Sequence, residues 1–269
     1  MQLRPWIAAA LALFAAEAHA NDSIAETAAG GLVLTRTTAI DMVSEDLFVS
    51  AAEIRVRYIF RNRTNADVAA TVAFPMPERR RQEDWDGDVA FPADFRTTVD
   101  GKAVQAAVER KETATGAQET WHWQQTFPAG RDLVVEHRYT PGTGGSVSTA
   151  LTDRDFRASP EGKAMIAAYC IDPAFLAGVD RMAKEVGGAD YPVIEEQYVS
   201  YILTTGANWA SPIGDFRMVV DKGAPENLVS FCADGVRKIA PTQFEVRHSN
   251  WRPDRDLKVL ILQPHQPGD

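Results

Sequence analysis

Residues 53–62 read Glu-Ile-Arg-Val-Arg-Tyr-Ile-Phe-Arg-Asn, and this stretch decides the fold class. Ile54, Val56, Tyr58 and Phe60 fall at every second position, with mainly charged residues between them. Side chains of a strand point alternately to opposite faces, so this period describes a strand with one face in a core and the other in water. Turn residues fill 62–67. Val68, Ala70, Val72 and Phe74 then alternate until Pro75 and Pro77 end the run. The two runs are expected to pair as a hairpin.

The same pattern continues outward from this pair. Phe95, Thr97 and Val99 lead into Asp100-Gly101, and Val104, Ala106 and Val108 follow, which is the sequence signal of a tight hairpin. Two further alternating runs, 118–127 and 132–140, flank Pro128-Ala129-Gly130. Strands at this spacing with no helix between them indicate an antiparallel sandwich or barrel. After the flexible stretch Pro141-Gly142-Thr143-Gly144-Gly145 the period becomes helical. Ser159-Pro160 and Asp172-Pro173 each offer a capping oxygen followed by a proline suited to the first helical position. Phe175, Leu176, Val179, Met182, Ala183 and Val186 make one apolar stripe, and Gly187-Gly188 allows a left-handed exit. Strand patterns return at 198–203, 216–221, 228–232, 243–248 and 257–262, with a second Asp-Gly turn at Asp234-Gly235.

The expected class is therefore mainly β, of the α+β type. It comprises two antiparallel sandwich-like regions, 21–145 and 190–269, and a short helical insert, 146–189, packed against the second. Cys170 and Cys232 are the two cysteines of the chain. In an oxidising compartment they are expected to form a bridge from the insert to the second β region, the alternative being two buried free thiols.

Residues 1–20 have the three parts of an export signal: Arg4, an apolar run from Ile7 to Ala16, and Ala18-His19-Ala20 as a small-x-small cleavage site. Cleavage is expected near Ala20, leaving Asn21 first. The apolar run is about ten residues, too short to span a bilayer as a helix, and no later stretch is long enough. The mature chain is thus expected to carry no transmembrane segment and to be periplasmic or secreted. Losing Arg4 and Glu17 leaves the net charge at −9, which argues against nucleic acid as a partner. Arg79-Arg80-Arg81 is followed at once by Glu83, Asp84, Asp86 and Asp88 and reads as a solvated loop, with phosphate binding as the alternative.

Three motifs carry candidate chemistry. Asp84, Asp86 and Asp88 alternate along a loop and can converge on Ca²⁺, although the glycine at position 4 and Phe95 at position 12 do not fit an EF-hand. Trp121-His122-Trp123 puts two indoles on one face of a strand, where they either stack a planar ligand or fill the core. Asn208-Trp209 lies in the turn-rich stretch 204–214, either as a ligand-binding loop or as a plug at the end of the second sandwich. No His spacing suits zinc, and neither a Gly-x-Ser-x-Gly elbow nor a phosphate loop in its proper context is present.

These residues also resemble a known family. Asn21-Asp22-Ser23 with Gly30-Gly31-Leu32, Arg57-Tyr58-Ile59-Phe60-Arg61-Asn62, Ala73-Phe74-Pro75-Met76-Pro77, Tyr169-Cys170, 203–209 and Phe231-Cys232 are similar to bacterial exported domain-of-unknown-function family 4424. The resemblance implies a bacterial periplasmic or secreted setting and brings no established activity or catalytic residue. Its members often run somewhat longer, which leaves open a C-terminal piece beyond Asp269. A weaker likeness, in Phe-Pro-Met-Pro followed by Val99-Asp100-Gly101-Lys102, is to the β-sandwich module of inter-alpha-trypsin-inhibitor heavy chains, at the level of fold only.

The functional expectation is a non-catalytic envelope module that binds a small ligand or an envelope protein through its loops, with no cofactor. One alternative is an envelope hydrolase using His122, His137 or His248 as base. Another is an adhesion-like module stabilised by calcium at Asp84, Asp86 and Asp88.

Overall fold

The computed structural model describes residues 22–28, 31–80, 92–186 and 193–265. The expected export signal, Asp84, Asp86 and Asp88, and Gly187-Gly188 lie outside the described residues. In chain order the first strands are β1 (Ser23–Ala28), β2 (Gly31–Thr35), β3 (Ile40–Val49), β4 (Ile54–Asn62), β5 (Val68–Pro75) and β6 (Arg79–Arg80). Then come β7 (Ala93–Val99), β8 (Lys102–Val104), β9 (Ala107–Glu112), β10 (Gly116–Phe127), β11 (Asp132–Thr140) and β12 (Gly144–Ser146). Helices α1 (Arg154–Ala158), α2 (Pro160–Ala168) and α3 (Pro173–Val186) follow. The chain continues with β13 (Ile194–Tyr201), β14 (Ile213–Asp221), β15 (Leu228–Phe231), β16 (Arg237–Lys238), β17 (Gln243–Trp251) and β18 (Leu257–Pro264).

Local signals in the sequence form as their chemistry dictates. Asp100 and Gly101 both take positive φ, 47° and 76°, and Val99 pairs with Lys102 across a two-residue turn. Ser159 Oγ accepts from Gly162 N–H at 3.0 Å, and Asp172 Oδ1 accepts from Phe175 N–H at 2.7 Å, capping α2 and α3.

The pairing of β4 and β5 differs from the expected hairpin. β4 pairs with β3 and β11, whereas β5 pairs with β1 and β10 in another sheet. The reason lies in Asn62. Its Nδ2 donates to the carbonyls of Ala66 (2.8 Å) and Phe127 (2.9 Å), and its Oδ1 accepts from Thr64 N–H and Oγ1, each at 2.8 Å. This cluster turns the chain across the sandwich, so the apolar faces of β4 and β5 oppose each other as two layers.

One layer is an eight-stranded sheet in the order β16-β17-β14-β3-β4-β11-β7-β8. The other is split between a six-stranded sheet, β2-β1-β5-β10-β6 with β9 also on β10, and a four-stranded sheet, β12-β13-β18-β15. Tyr58 and Phe60 of the first layer, Phe74 and Trp123 of the six-stranded sheet, and Tyr201 and Val259 of the four-stranded sheet share one core. The expected β regions are continuous in space: β14 lies parallel beside β3, so the eight-stranded sheet takes strands from both. A second core forms where Phe175, Val179 and Met182 of α3 cover Leu260 and Leu262 on the outer side of the four-stranded sheet.

Candidate functional site

The Asn208-Trp209 loop is a short 3-10 helix, Thr204–Asn208, held by Asp256. Asp256 Oδ1 accepts from the N–H groups of Leu203 and Thr204, each at 3.1 Å, and from Thr204 Oγ1 at 2.8 Å. Trp209 is 2% exposed and its Nε1 donates to the Asp22 carbonyl at 2.8 Å, while Asn208 Nδ2 donates to Ser23 Oγ at 3.1 Å. A buried indole needs a partner for its N–H, and the first described residues supply it. The loop therefore anchors the N-terminal strand and presents no aromatic surface, which corrects the ligand-loop expectation. Trp123 is 4% exposed within the core, and Trp121 stacks on Phe95 with ring centres 4.9 Å apart. These indoles fill the sandwich.

The structure also joins residues that sequence spacing does not connect. His137 Nε2 lies 3.0 Å from Asp22 Oδ1, and His137 Nδ1 lies 3.0 Å from Thr97 Oγ1. Burial raises the Asp22 carboxyl above its usual range, opposed by the charge and hydrogen bond of His137. The order carboxylate, imidazole, hydroxyl is that of a catalytic triad. The His137 and Asp22 side chains are nevertheless fully buried. His248 packs against Trp251 and Phe216, whose own ring centres are 4.4 Å apart, and His265 Nδ1 meets Glu195 Oε1 at 3.1 Å on the surface. Among the described residues, no other histidine is hydrogen-bonded to both a carboxylate and a hydroxyl.

A cleft of about 670 Å³ opens where the three sheets meet, walled by Tyr139, Tyr169, Tyr198 and Tyr201 with Arg79 and Ser200. Its floor is fixed by a 2.7 Å hydrogen bond between the buried Tyr58 and Tyr201 hydroxyls, which ties the two layers together. Tyr169 and Tyr198 stack with ring centres 5.6 Å apart, and the Tyr198 hydroxyl donates to Glu196. Burial pushes the Tyr139 and Tyr201 hydroxyls well above their ordinary range, so they remain neutral hydrogen-bonding groups at physiological pH. Burial also lowers the Arg79 guanidinium, whose Nη2 has no hydrogen-bond partner among the described residues.

Cys170 and Cys232 form a disulfide that joins the turn after α2 to the end of β15, with Cα atoms 5.0 Å apart. Beside it Phe216, His248 and Trp251 line a second cleft of about 500 Å³. Among the described residues, no group of three or more His, Cys, Asp or Glu side chains converges as metal ligands would. No single described helix is long and apolar enough to cross a membrane.

Of the solved structures similar to this chain, one is a candidate nutrient-binding protein from Legionella pneumophila subsp. pneumophila str. Philadelphia 1. It is 19% identical, with a TM-score of 0.53 over 90% of this chain and 72% of that one, and the likeness is one of fold. Yeast LTA4 hydrolase in complex with Bestatin aligns at a TM-score of 0.40 and 9% identity, over 82% of this chain and 28% of that one. An M1 zinc metallopeptidase from Deinococcus radiodurans aligns at 0.34 and 10%, over 84% and 43%. The chain thus spans less than half the length of either of these two proteins. None of the curated proteins compared with the chain matches it. The family described as Domain of unknown function (DUF4424) matches residues 20–120 and 112–260, and the chain belongs to that family.

Proposed function

We propose that the protein is an exported, non-catalytic binding module that takes a small ring-bearing ligand in the tyrosine-walled cleft where its three sheets meet. The observation that carries this reading is the cleft itself. Ligand sites are typically concave, several hundred Å³ in volume, mostly aromatic or apolar, and supplied with a few hydrogen-bonding groups. The stacked pair Tyr169 and Tyr198 offers a face for a ring, and Ser200 and Arg79 offer polar contacts at its edge. Fold likeness to a candidate nutrient-binding protein agrees with a small ligand. The closed state of the Asp22–His137–Thr97 cluster supports binding over hydrolysis. Residues 1–20 support export.

Thermal unfolding of the oxidised protein against sugars, amino acids and aromatic acids tests the binding. A ligand at 100 times its Kd adds about 2.7 kcal/mol, a shift of roughly 5–10 °C at this chain length. Tyr198→Leu is expected to abolish that shift, and a flat panel would overturn the small-ligand reading. Cell fractionation with N-terminal sequencing tests export, with Asn21 expected first in the envelope fraction. A chain retained in the cytosol with its first 20 residues intact would refute it.

A further inference from the structure

The outward face of the eight-stranded sheet, remote in chemistry from the tyrosine cleft, carries a second feature. β4 buries Ile54, Val56 and Tyr58 and turns Arg55 and Arg57 to the surface; β11 buries Val135 and turns Glu136 and Arg138 outward; β7 buries Thr97 and turns Arg96 and Thr98 outward. The register sets Arg138 directly opposite Arg96 on one side and directly opposite Arg55 on the other. Three guanidinium groups thus stand in one cross-strand row over three adjacent strands.

Like charges directly opposite one another destabilise a sheet. Along the neighbouring row that conflict is resolved by alternation: Glu136 lies opposite Arg57, Arg57 opposite Asp46, and Asp46 opposite Arg217. Arg57 meets Glu136 at 3.6 Å, and Arg217 meets Asp46 at 3.0 Å. Among the described residues, one carboxylate pairs with the Arg96–Arg138–Arg55 row, that of Glu53, whose Oε1 lies 2.5 Å from Arg55 Nε and whose Oε2 meets Arg138. Arg96 is exposed and has no ion-pair partner among the described residues. The Arg55 guanidinium is held 4.5 Å above the Phe48 ring, a contact that fixes its plane. The β7–β11 register shifts just past the middle of the row, between Arg138 and Thr140.

Together these residues line a depression of about 610 Å³ in which Arg55, Arg57, Arg96, Arg138 and Arg217 face the carboxylates of Asp46 and Glu136. The whole chain carries a charge of −9, so the row is a local reversal of sign. An arginine fork matches carboxylate and phosphoryl oxygens in pairs, and neighbouring forks suit a solute with more than one acidic group. We infer that this face binds a small solute bearing two or more carboxylate or phosphoryl groups, with Arg96 and Arg138 as its principal contacts and Arg55 held in place by Phe48.

Titration calorimetry of the oxidised protein with citrate and with inorganic pyrophosphate, at low salt and at about 150 mM salt, tests the inference. One-to-one binding of either anion is expected, weaker at the higher salt, and the anion that binds names the acid group. Arg96→Gln and Arg138→Gln should each weaken binding by at least about tenfold. Arg63→Gln, an exposed arginine paired with Asp41, and Tyr198→Leu in the cleft should bind as the parent does. Because Arg96 lacks an ion-pair partner among the described residues, its replacement leaves the folded state intact even if that of Arg138 does not. Absence of binding by both anions, or an Arg96→Gln protein that binds like the parent, overturns the proposal. Neither result bears on the tyrosine cleft.

Discussion

The two halves of the split layer face the same eight-stranded sheet and follow different sequence rules. In the six-stranded half, β10 places Trp123 and Phe127 in the core and leaves Gln124 and Thr126 exposed. In the four-stranded half, β18 runs Val259-Leu260-Ile261-Leu262 with all four residues buried. Val259 and Ile261 face the shared core, whereas Leu260 and Leu262 face the helices. The period of a strand therefore reports how many of its faces are covered: alternation means one, and an unbroken apolar run means two.

The most direct way to break this comparison is by substitution on corresponding outer faces. Leu260→Ala is expected to cost about 2–5 kcal/mol in urea unfolding, as cavity formation in a core does. Gln124→Thr should stay within about 0.5 kcal/mol, and equal costs would mean that the helices do not complete a core. Reduction of Cys170–Cys232 should come next. A closed loop with a sequence separation of 62 corresponds to about 4 kcal/mol in the chain-entropy model, an upper figure for most proteins. By hydrogen exchange, α2 and β15 should lose protection first, ahead of β1, β5 and β10; a uniform loss would remove the distinction between the halves.

The smallest expected effect concerns the layer that both halves share. Arg237, Arg217 and Arg247 hold Glu245 down to about 2, the hydrogen bond from Arg237 contributing most. A depressed carboxylate stabilises the fold fully above its unfolded value, near 4.5, and that contribution is lost as the pH falls toward 2. The parent should lose more stability than Glu245→Gln over this window, with probes in both halves responding together. A parallel fall in the two proteins would show that the arginines around Glu245 contribute nothing to folding.

Much of the secondary structure was legible because its causes are local. The Asp100-Gly101 turn, the caps at Ser159 and Asp172 and the alternation from Ile54 to Phe60 each depend on residues a few positions apart. Strand partners were not legible. The corner at Asn62 reads as a hairpin turn until its side chain is seen bonded to Phe127, 65 positions later. The same limit applies to the candidate sites. Trp209 stands in a turn-rich loop, and only its contact with Asp22, 187 positions earlier, distinguishes a plug from a platform. The Arg96–Arg138–Arg55 row was hidden because each arginine looks like an ordinary solvated outer residue of its own strand; it becomes a row only through register. One signal was available: β4, β7 and β11 each carry arginine on the outer face, where lysine or threonine would serve equally well for solubility.

The parallel alignment of β3 with β14 has a consequence for the order of folding. Residues 40–49 are synthesised early, and their neighbours at 213–221 some 170 positions later. Until those neighbours emerge, one edge of β3 displays unpaired N–H and C=O groups and an apolar face that has nothing to cover it. The Trp209 plug is delayed in the same way, because the carbonyl it grips at Asp22 is made near the beginning. Wherever the chain folds, the eight-stranded sheet is completed only when the final third is available to pair with β3.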